Sequence, residues 1–359
     1  MTFSAGDYQY MALAIALAKR GLYTTHPNPR VGCVLVKDNE IVGEGWHERT
    51  GESHAEIHAL KNAGDAANGA TAYVTLEPCC HYGRTPPCSE ALIKAGVTKV
   101  IAAMQDPHDK VAGKGMRQLQ RAGIETGVGL LEAEAQKLNP GFIKRMQTGR
   151  PYVRCKMAMS LDGRTAMASG ESVWITGEAA RRDVQHWRAQ ADCIMTGVGT
   201  VMQDDPHMNV RLPGHEKQPL RVVVDSKLRM TADRKMLTQA GETLVFTCEA
   251  NARLANAEVM ALAATKGRVD LGAVLDELGR RQVNEIHLES GATLSGAMLQ
   301  AGLIDELVIY MAPVLMGDAG RGLFHLPGLE QMADKVTLDI FEQRQVDQDW
   351  RLRARLVNS

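Results

Sequence analysis

The sequence predicts an α/β protein of two domains, and three observations point there. Short β-rich runs alternate with helical runs along the chain, the alternation starts afresh after Gly149-Arg150-Pro151, and 359 residues suffice for two cores of ordinary size. The expected domains are residues 1–149 and 150–359.

In the first domain, apolar residues recur at helical spacing from Tyr8 to Arg20, with Asp7 as the expected cap and Gly21 as the stop. Val31–Val36 and Ile41–Trp46 read as a hairpin through Asp38-Asn39. A helix is expected from His54 to Ala63, closed by Gly64, then a strand over Ala72–Leu76. The Pro/Cys/Gly loop Glu77–Pro87 leads into a helix over Ser89–Ala95. A buried strand at Lys99–Ala103, a helix near Gly115–Arg121 and a closing strand–helix pair complete a three-layer α/β domain. The second domain reads as a strand over Tyr152–Met159 and a helix over Gly177–Arg188 behind a Thr176 cap. Strands follow at Cys193–Thr196, Leu220–Val224, Thr243–Thr247, Glu285–Glu289 and Leu307–Met311.

Composition narrows the function. Hydrophobic content of 45% and charged content of 23% are globular values. With 41 basic against 42 acidic residues and no long basic run, nucleic acid is not an expected partner. Aromatic content of 4% offers no stacking platform for single strands. Met11–Ala18 is apolar but too short to span a bilayer, and its charges, Lys19 and Arg20, follow rather than precede it. Neither a signal peptide nor a membrane anchor is expected, and the chain reads as cytoplasmic. Cys33, Cys155, Cys193 and Cys248 lie in apolar surroundings and read as buried thiols.

The remaining cysteines carry chemistry. His54-Ala55-Glu56, Pro78-Cys79 and Pro87-Cys88 supply one imidazole and two thiolates, three ligands for Zn²⁺ with the fourth position left to water. A metal so held brings the pKa of water toward neutrality. Glu56 is expected to be the catalytic proton carrier, as in zinc nucleobase deaminases with H-x-E followed by P-C-x-x-C. Here the gap between the cysteines is eight residues rather than two. Cys88 still returns to the metal if a helix starts beside it, and a helix N-terminus favours a thiolate. Cys80 is the competing ligand.

The run Glu77-Pro78-Cys79-Cys80-His81-Tyr82-Gly83-Arg84-Thr85-Pro86-Pro87-Cys88 resembles the zinc loop of the bacterial bifunctional riboflavin-biosynthesis deaminase–reductases. His26–Gly32, Ser160-Leu161-Asp162-Gly163-Arg164, Gly170-Glu171-Ser172 and Trp174-Ile175-Thr176-Gly177 agree with that family, in order. The resemblance implies a cytidine-deaminase-like first domain, a dihydrofolate-reductase-like second domain using NADPH, and a homodimer or higher oligomer. It also implies two consecutive reactions on small phosphorylated amino-pyrimidines. The first is deamination of 2,5-diamino-6-(5-phosphoribosylamino)pyrimidin-4-one. The second is reduction of the ribosyl group of 5-amino-6-(5-phosphoribosylamino)uracil to ribityl. Asn28, His81 and Arg84 are candidates to hold the pyrimidine or its phosphate.

For the reductase, Gly197-Val198-Gly199 lacks the third glycine of a dinucleotide fingerprint and argues against a Rossmann half. The better phosphate cradle is Glu289-Ser290-Gly291-Ala292-Thr293-Leu294-Ser295-Gly296-Ala297, which follows a strand and opens a helix, with Gly291–Ala297 as the expected cofactor contacts. By resemblance Ala158, Trp174, Thr200 and Asp204 join it as cofactor contacts, while Ser172, Arg188, Met208, Arg211 and Glu289 contact substrate. The arginines suit a substrate that keeps a phosphate. Lys156, amid Val153, Cys155, Met157 and Met159, is expected to face a polar cavity, with snorkelling at a sheet end as the alternative. Two rivals stand beside this reading, a nucleobase deaminase fused to an unrelated domain and an idle deaminase fold serving as a scaffold.

Overall fold

Asp38 and Asn39 both take left-handed backbone angles, φ 52° and 63°, the geometry of a two-residue hairpin turn whose twist matches its strands. They join β1 (Gly32–Lys37) to β2 (Glu40–Trp46). The computed structural model describes residues 2–82, 86–108 and 112–357, and the chain divides between Gly149 and Arg150 into two compact units.

Unit 1 completes its sheet with β3 (Thr71–Val74), β4 (Lys99–Ala102) and β5 (Glu125–Val128), in the order β2-β1-β3-β4-β5. The hairpin and the β1–β3 pair are antiparallel, and β3, β4 and β5 are parallel. Around it lie α1 (Ala5–Ala18), α2 (Ala55–Ala63), α3 (Cys88–Lys94), α4 (Lys114–Arg121), α5 (Glu132–Gln136) and α6 (Pro140–Thr148). Asp7 is not the cap expected from the sequence. Ser4 is the cap, and Asp7, three residues on, closes a reciprocal capping box with it.

Two helices cover opposite faces of the hairpin, because successive strand residues face opposite sides. A Cβ on Gly32 would overlap backbone of α1, whereas Gly45, opposite Cys33, lies against the backbone of α2. Gly43 and Gly45 let α2 lie flat on β2: a Cβ there would overlap the carbonyls of Ala59 and Ala55. That close approach fixes where His54, the residue capping α2, comes to rest.

Unit 2 runs β6 (Tyr152–Ser160), β7 (Arg164–Ala166), α7 (Glu178–Gln190), β8 (Cys193–Gly197), α8 (Val198–Asp204), β9 (Leu220–Val224), β10 (Thr243–Thr247) and β11 (Glu258–Ala261). It continues with β12 (Ala264–Thr265), β13 (Arg268–Val269), α9 (Leu271–Arg280), β14 (Glu285–Leu288), α10 (Ala292–Gln300), β15 (Glu306–Ala312), β16 (Arg321–Gly322), β17 (Leu338–Val346) and β18 (Asp349–Leu356). Nine of these form one sheet, ordered β11-β10-β9-β8-β14-β6-β15-β18-β17 and parallel from β11 to β15. The last two strands join it antiparallel.

Both faces of the central parallel strands are buried, with period two. Met195, Val222, Leu244 and Phe246 pack with Val274, Leu278 and Met298 of α9 and α10, while Ile194, Val223 and Val245 pack with Val198 and Val201 of α8. Thr176 is not the cap of α7; Gly177 is, and the Thr176 carbonyl accepts from Arg181 Nη1 at 2.7 Å. The β17–β18 hairpin was not expected from the sequence, and it carries charge where a core face would be apolar. Arg154, fully buried on β6, pairs with Glu285 (3.0 Å) and Glu306 (3.3 Å). Arg353 joins Glu306 to Glu342, and Arg351 joins Glu342 to Asp183. Buried charges persist when paired in such a chain. Among the described residues no helix is long and apolar enough to cross a membrane.

Gly45→Ala is expected to cost unit 1 about 1–3 kcal/mol by forcing α2 off the hairpin, measured by denaturant unfolding against wild type.

Candidate functional site

Two helix starts bring the metal-type ligands together. His54 caps α2 and Cys88 opens α3, while Cys79 follows the end of β3. His54 Nδ1 lies 3.6 Å from Cys79 Sγ and 3.3 Å from Cys88 Sγ, and the three ligand atoms all fall within 4.8 Å of one another. A tetrahedral zinc with ordinary bond lengths separates its N and S ligands by roughly 3.5–3.8 Å. The donor set and its spacing therefore fit zinc. Cys80 stands outside the cluster, and burial raises its thiol pKa.

The electrostatics favour a cation. The Cys88 thiol and His54 stabilise Cys79 as the thiolate, pulling it down to about 4, and the Cys88 backbone N–H also donates to its sulfur at 3.3 Å. Glu56, in the first turn of α2, is 3% exposed; burial and then the Cys79 charge push its carboxyl up to about 7.

His47 adjoins this cluster and was not singled out in the sequence. It leaves the end of β2 buried, its ring edge-on to His54 with centroids 5.4 Å apart. Nδ1 donates to Ser53 O (3.1 Å) and Nε2 accepts from Asn28 Nδ2 (3.2 Å), which fits the neutral ring that burial favours. The sequence signal was slight, a histidine where a strand turns toward the H-x-E helix. Asn28 is thus placed beside the site, His81 is exposed, and Arg84 lies outside the described residues.

In unit 2 an open cleft of about 1820 Å³ runs along the carboxyl ends of the parallel strands, the place where open α/β sheets bind ligands. Lys156 and Ala158 of β6, Ser172, Trp174, Arg188, Thr200, Asp204, Met208, Arg211 and Glu289 all line it. So do Gly291, Ala292, Thr293, Leu294 and Ala297. Ser295 and Gly296 do not, contrary to the sequence reading of the cradle. Ser295 is fully buried with its hydroxyl on Ser290, and a Cβ on Gly296 would overlap the carbonyl of His325. One helical turn in from Gly291, these positions face the core. Gly291 faces open space, its nearest neighbour to a Cβ being Thr200 Oγ1 at 3.9 Å, and its N–H donates to that hydroxyl at 3.3 Å.

Charge is arranged by pairing. Arg188 grips Glu289 with two donors, Nε at 2.5 Å and Nη2 at 2.8 Å. Burial alone would raise Glu289, but Arg188 outweighs it and holds the carboxylate well below its usual range. His287, fully buried, lies 3.1 Å from the same carboxylate, and burial lowers its own pKa. Burial also lowers Lys156, which feels Glu289 on one side and Arg188 on the other. The segment carrying Met208 and Arg211 is stapled in place. Gln185 accepts from Arg211 N (2.9 Å), Arg188 donates to Asn209 O (2.9 Å), and Gln218 brackets Val210 N and O (2.9 and 3.1 Å).

Residues 5–104 match the zinc-binding region of cytidine and deoxycytidylate deaminases, and residues 151–352 match the RibD C-terminal domain. The chain is 52% identical over 357 residues to the riboflavin biosynthesis protein RibD of Escherichia coli K12, covering 96% of this chain and 97% of that one. The chain belongs to the RibD family. RibD of Haemophilus influenzae is 49% identical over 364 residues, 98% of each chain. Among solved structures, Acinetobacter baumannii RibD superposes with a TM-score of 0.92 at 48% identity, covering 98% of this chain and 99% of that one. A diaminohydroxyphosphoribosylaminopyrimidine deaminase/5-amino-6-(5-phosphoribosylamino)uracil reductase from Thermotoga maritima superposes at 0.90 with 31% identity and the same coverage. Unit 1 accordingly has the cytidine-deaminase-like fold and unit 2 the dihydrofolate-reductase-like fold of RibD proteins.

The Arg188–Glu289 pair makes a pH signature. A carboxylate held below its ordinary value contributes stability that is complete above the unfolded-chain value of about 4.3 and drains away as pH falls toward the lowered value. Glu289→Gln is expected to flatten the acid loss of unit 2 stability below about pH 4.3, read by tryptophan fluorescence in denaturant titrations at stepped pH.

Proposed function

We propose that this RibD-family chain runs two consecutive steps of riboflavin biosynthesis at two separate sites, deamination in residues 1–149 and reduction in residues 150–359. It is a bifunctional deaminase and reductase of small pyrimidine substrates. In the first step, 2,5-diamino-6-(5-phosphoribosylamino)pyrimidin-4-one exchanges its 2-amino group for a carbonyl oxygen from water, releasing ammonia. In the second, the ribosyl group of 5-amino-6-(5-phosphoribosylamino)uracil would be reduced to the ribityl chain, with hydride supplied by bound NADPH. The reading is carried by one observation, the His54/Cys79/Cys88 cluster with Glu56 buried beside it.

His54, Cys79 and Cys88 would hold the zinc, which when bound activates water as a Lewis acid. Glu56 would take one proton from water and pass it to the ring nitrogen, then take the proton of the added hydroxyl and pass it to the departing amine. Neutral His47 and Asn28 form the polar wall beside it. In unit 2, the α10 start at Gly291–Leu294 and Ala297, with Ala158, Trp174, Thr200 and Asp204, would take the cofactor; its N–H groups suit a phosphate. Lys156, Ser172, Arg188, Met208, Arg211 and Glu289 would take the substrate, Arg211 meeting its phosphate. Glu289 is locked as an anion by Arg188. Lys156, whose charged form burial disfavours, is the better group to exchange a proton as the ribosylamine opens.

The seven free cysteines suit the reducing cytoplasm, and a net charge of −1 favours small substrates over nucleic acid or anionic membrane. The nine-residue edge strand β17 leaves Leu338, Ile340 and Phe341 exposed, an edge suited to a second copy in a homodimer.

Mass spectrometry of the diamino-pyrimidine phosphate incubated with and without NADPH tests the sequence of steps. Glu56→Gln should keep zinc yet lose deamination by roughly 10²- to 10⁴-fold, while oxidising NADPH near the wild-type rate when given the deaminated substrate. Loss of both activities in a folded, zinc-loaded variant would replace two sites with one. Metal analysis is expected to show about one zinc per chain, lost in Cys79→Ser and Cys88→Ser and kept in Cys80→Ser. Gly291→Val should weaken NADPH binding by calorimetry without loss of stability, whereas Gly296→Val should lower stability, since its side chain meets His325 rather than the cleft.

A further inference from the structure

Glu77 stands two residues before Cys79, 4% exposed, and its carboxylate is wholly occupied by backbone donors. Oε2 accepts from Asp106 N (3.1 Å) and Gly113 N (2.8 Å), and Oε1 accepts from Gly115 N (2.8 Å) and Met116 N (3.3 Å). Three of these N–H groups belong to the start of α4, whose positive end favours an anion. The approach is tight, since a Cβ on Gly115 would overlap the carbonyl of Pro78. The same helix reaches the metal loop a second time. Gln118 Oε1 lies 2.9 Å from Ser89 Oγ, which lies 3.0 Å from Cys79 O. Ser89 N donates to that carbonyl at 3.1 Å, and Cys88 N donates to Cys79 Sγ at 3.3 Å.

These contacts close a ring that runs from Glu77 through α4 to Gln118, across Ser89 at the start of α3, and back to Cys79. We propose that Glu77 is a positioning residue for the zinc site, using α4 as a clamp that fixes the two ligand sulfurs and slows loss of the metal. The long insertion between the cysteines makes such a clamp necessary. Where two residues separate paired ligands the turn itself sets their spacing; here eight residues intervene and the spacing must be held from outside. The proposal rests on the zinc reading of His54, Cys79 and Cys88.

The test compares wild type, Glu77→Gln and Glu77→Asp as full-length chains. The glutamine keeps the shape but turns an amide N–H₂ toward backbone donors; the aspartate keeps the charge but is one methylene short. Zinc affinity is measured by competition with a chromophoric chelator, and ligand geometry by the visible spectrum of the Co²⁺-substituted protein. Glu77→Gln is expected to weaken zinc by about 10- to 100-fold, the range for partners that orient metal ligands, and to shift the Co²⁺ bands. Glu77→Asp should fall between it and wild type. NADPH oxidation on the deaminated substrate should be unchanged and reports that the rest of the chain is intact. Should Glu77→Gln fail to fold, the aspartate variant decides alone. A wild-type chain that holds zinc, beside variants with equal affinity and an unshifted cobalt spectrum, would overturn the clamp. Failure of the wild type to hold zinc would strike down the site and the clamp together.

Discussion

Two thiols, an imidazole and a carboxyl crowd one end of unit 1, and so many electron-rich groups demand a cation. Without one the thiols compete, Cys79 ionising at the expense of Cys88 while Glu56 is driven toward neutrality. A bound dication lets all of them keep their charge. The local fold serves that gathering. Gly43 and Gly45 let α2 settle on the hairpin so that His54 and Glu56 reach the cluster, and the start of α3 delivers Cys88. Stability and metal chemistry are therefore hard to separate in this unit.

Unit 2 solves a different problem. Its cleft gathers arginines and lysines, and fixed partners hold some of them in place. Arg188 is spent on Glu289, and the backbone around Met208 and Arg211 is pinned by Gln185, Arg188 and Gln218 before any ligand arrives. Preorganisation of this kind lowers the cost of ordering on binding. Behind the cleft, the chain of pairs from Arg154 to Asp183 stitches β6, β14, β15, β18 and α7 together, and Tyr310 Oη donates to Asp183 at the far end.

Much of the His54/Cys79/Cys88 cluster was legible because its residues are local in the chain. His54 and Glu56 share one helix start, and Cys79 and Cys88 flank one loop, so short motifs carry them. His47 and Glu77 were not legible as neighbours of that cluster, since their places arise from where β2 ends and how α4 packs, which no spacing encodes. The cleft was legible through resemblance, yet treating the cradle as one run of residues swept in Ser295 and Gly296, which the helix turns toward the core. The β17–β18 hairpin escaped because its buried face holds Arg351 and Arg353 opposite acids, so a search for apolar alternation passes over it.

If the two proposed chemistries depend on different centres, removing the metal separates them. The wild-type chain would be treated with a strong zinc chelator and then assayed twice, for ammonia release from the diamino-pyrimidine phosphate and for NADPH oxidation with the deaminated ribosylamino-uracil phosphate. Ammonia release is expected to collapse and to return on adding zinc, while NADPH oxidation continues at its original rate. Equal loss of both activities in a chain that stays folded, or deamination that survives complete removal of the metal, would contradict it.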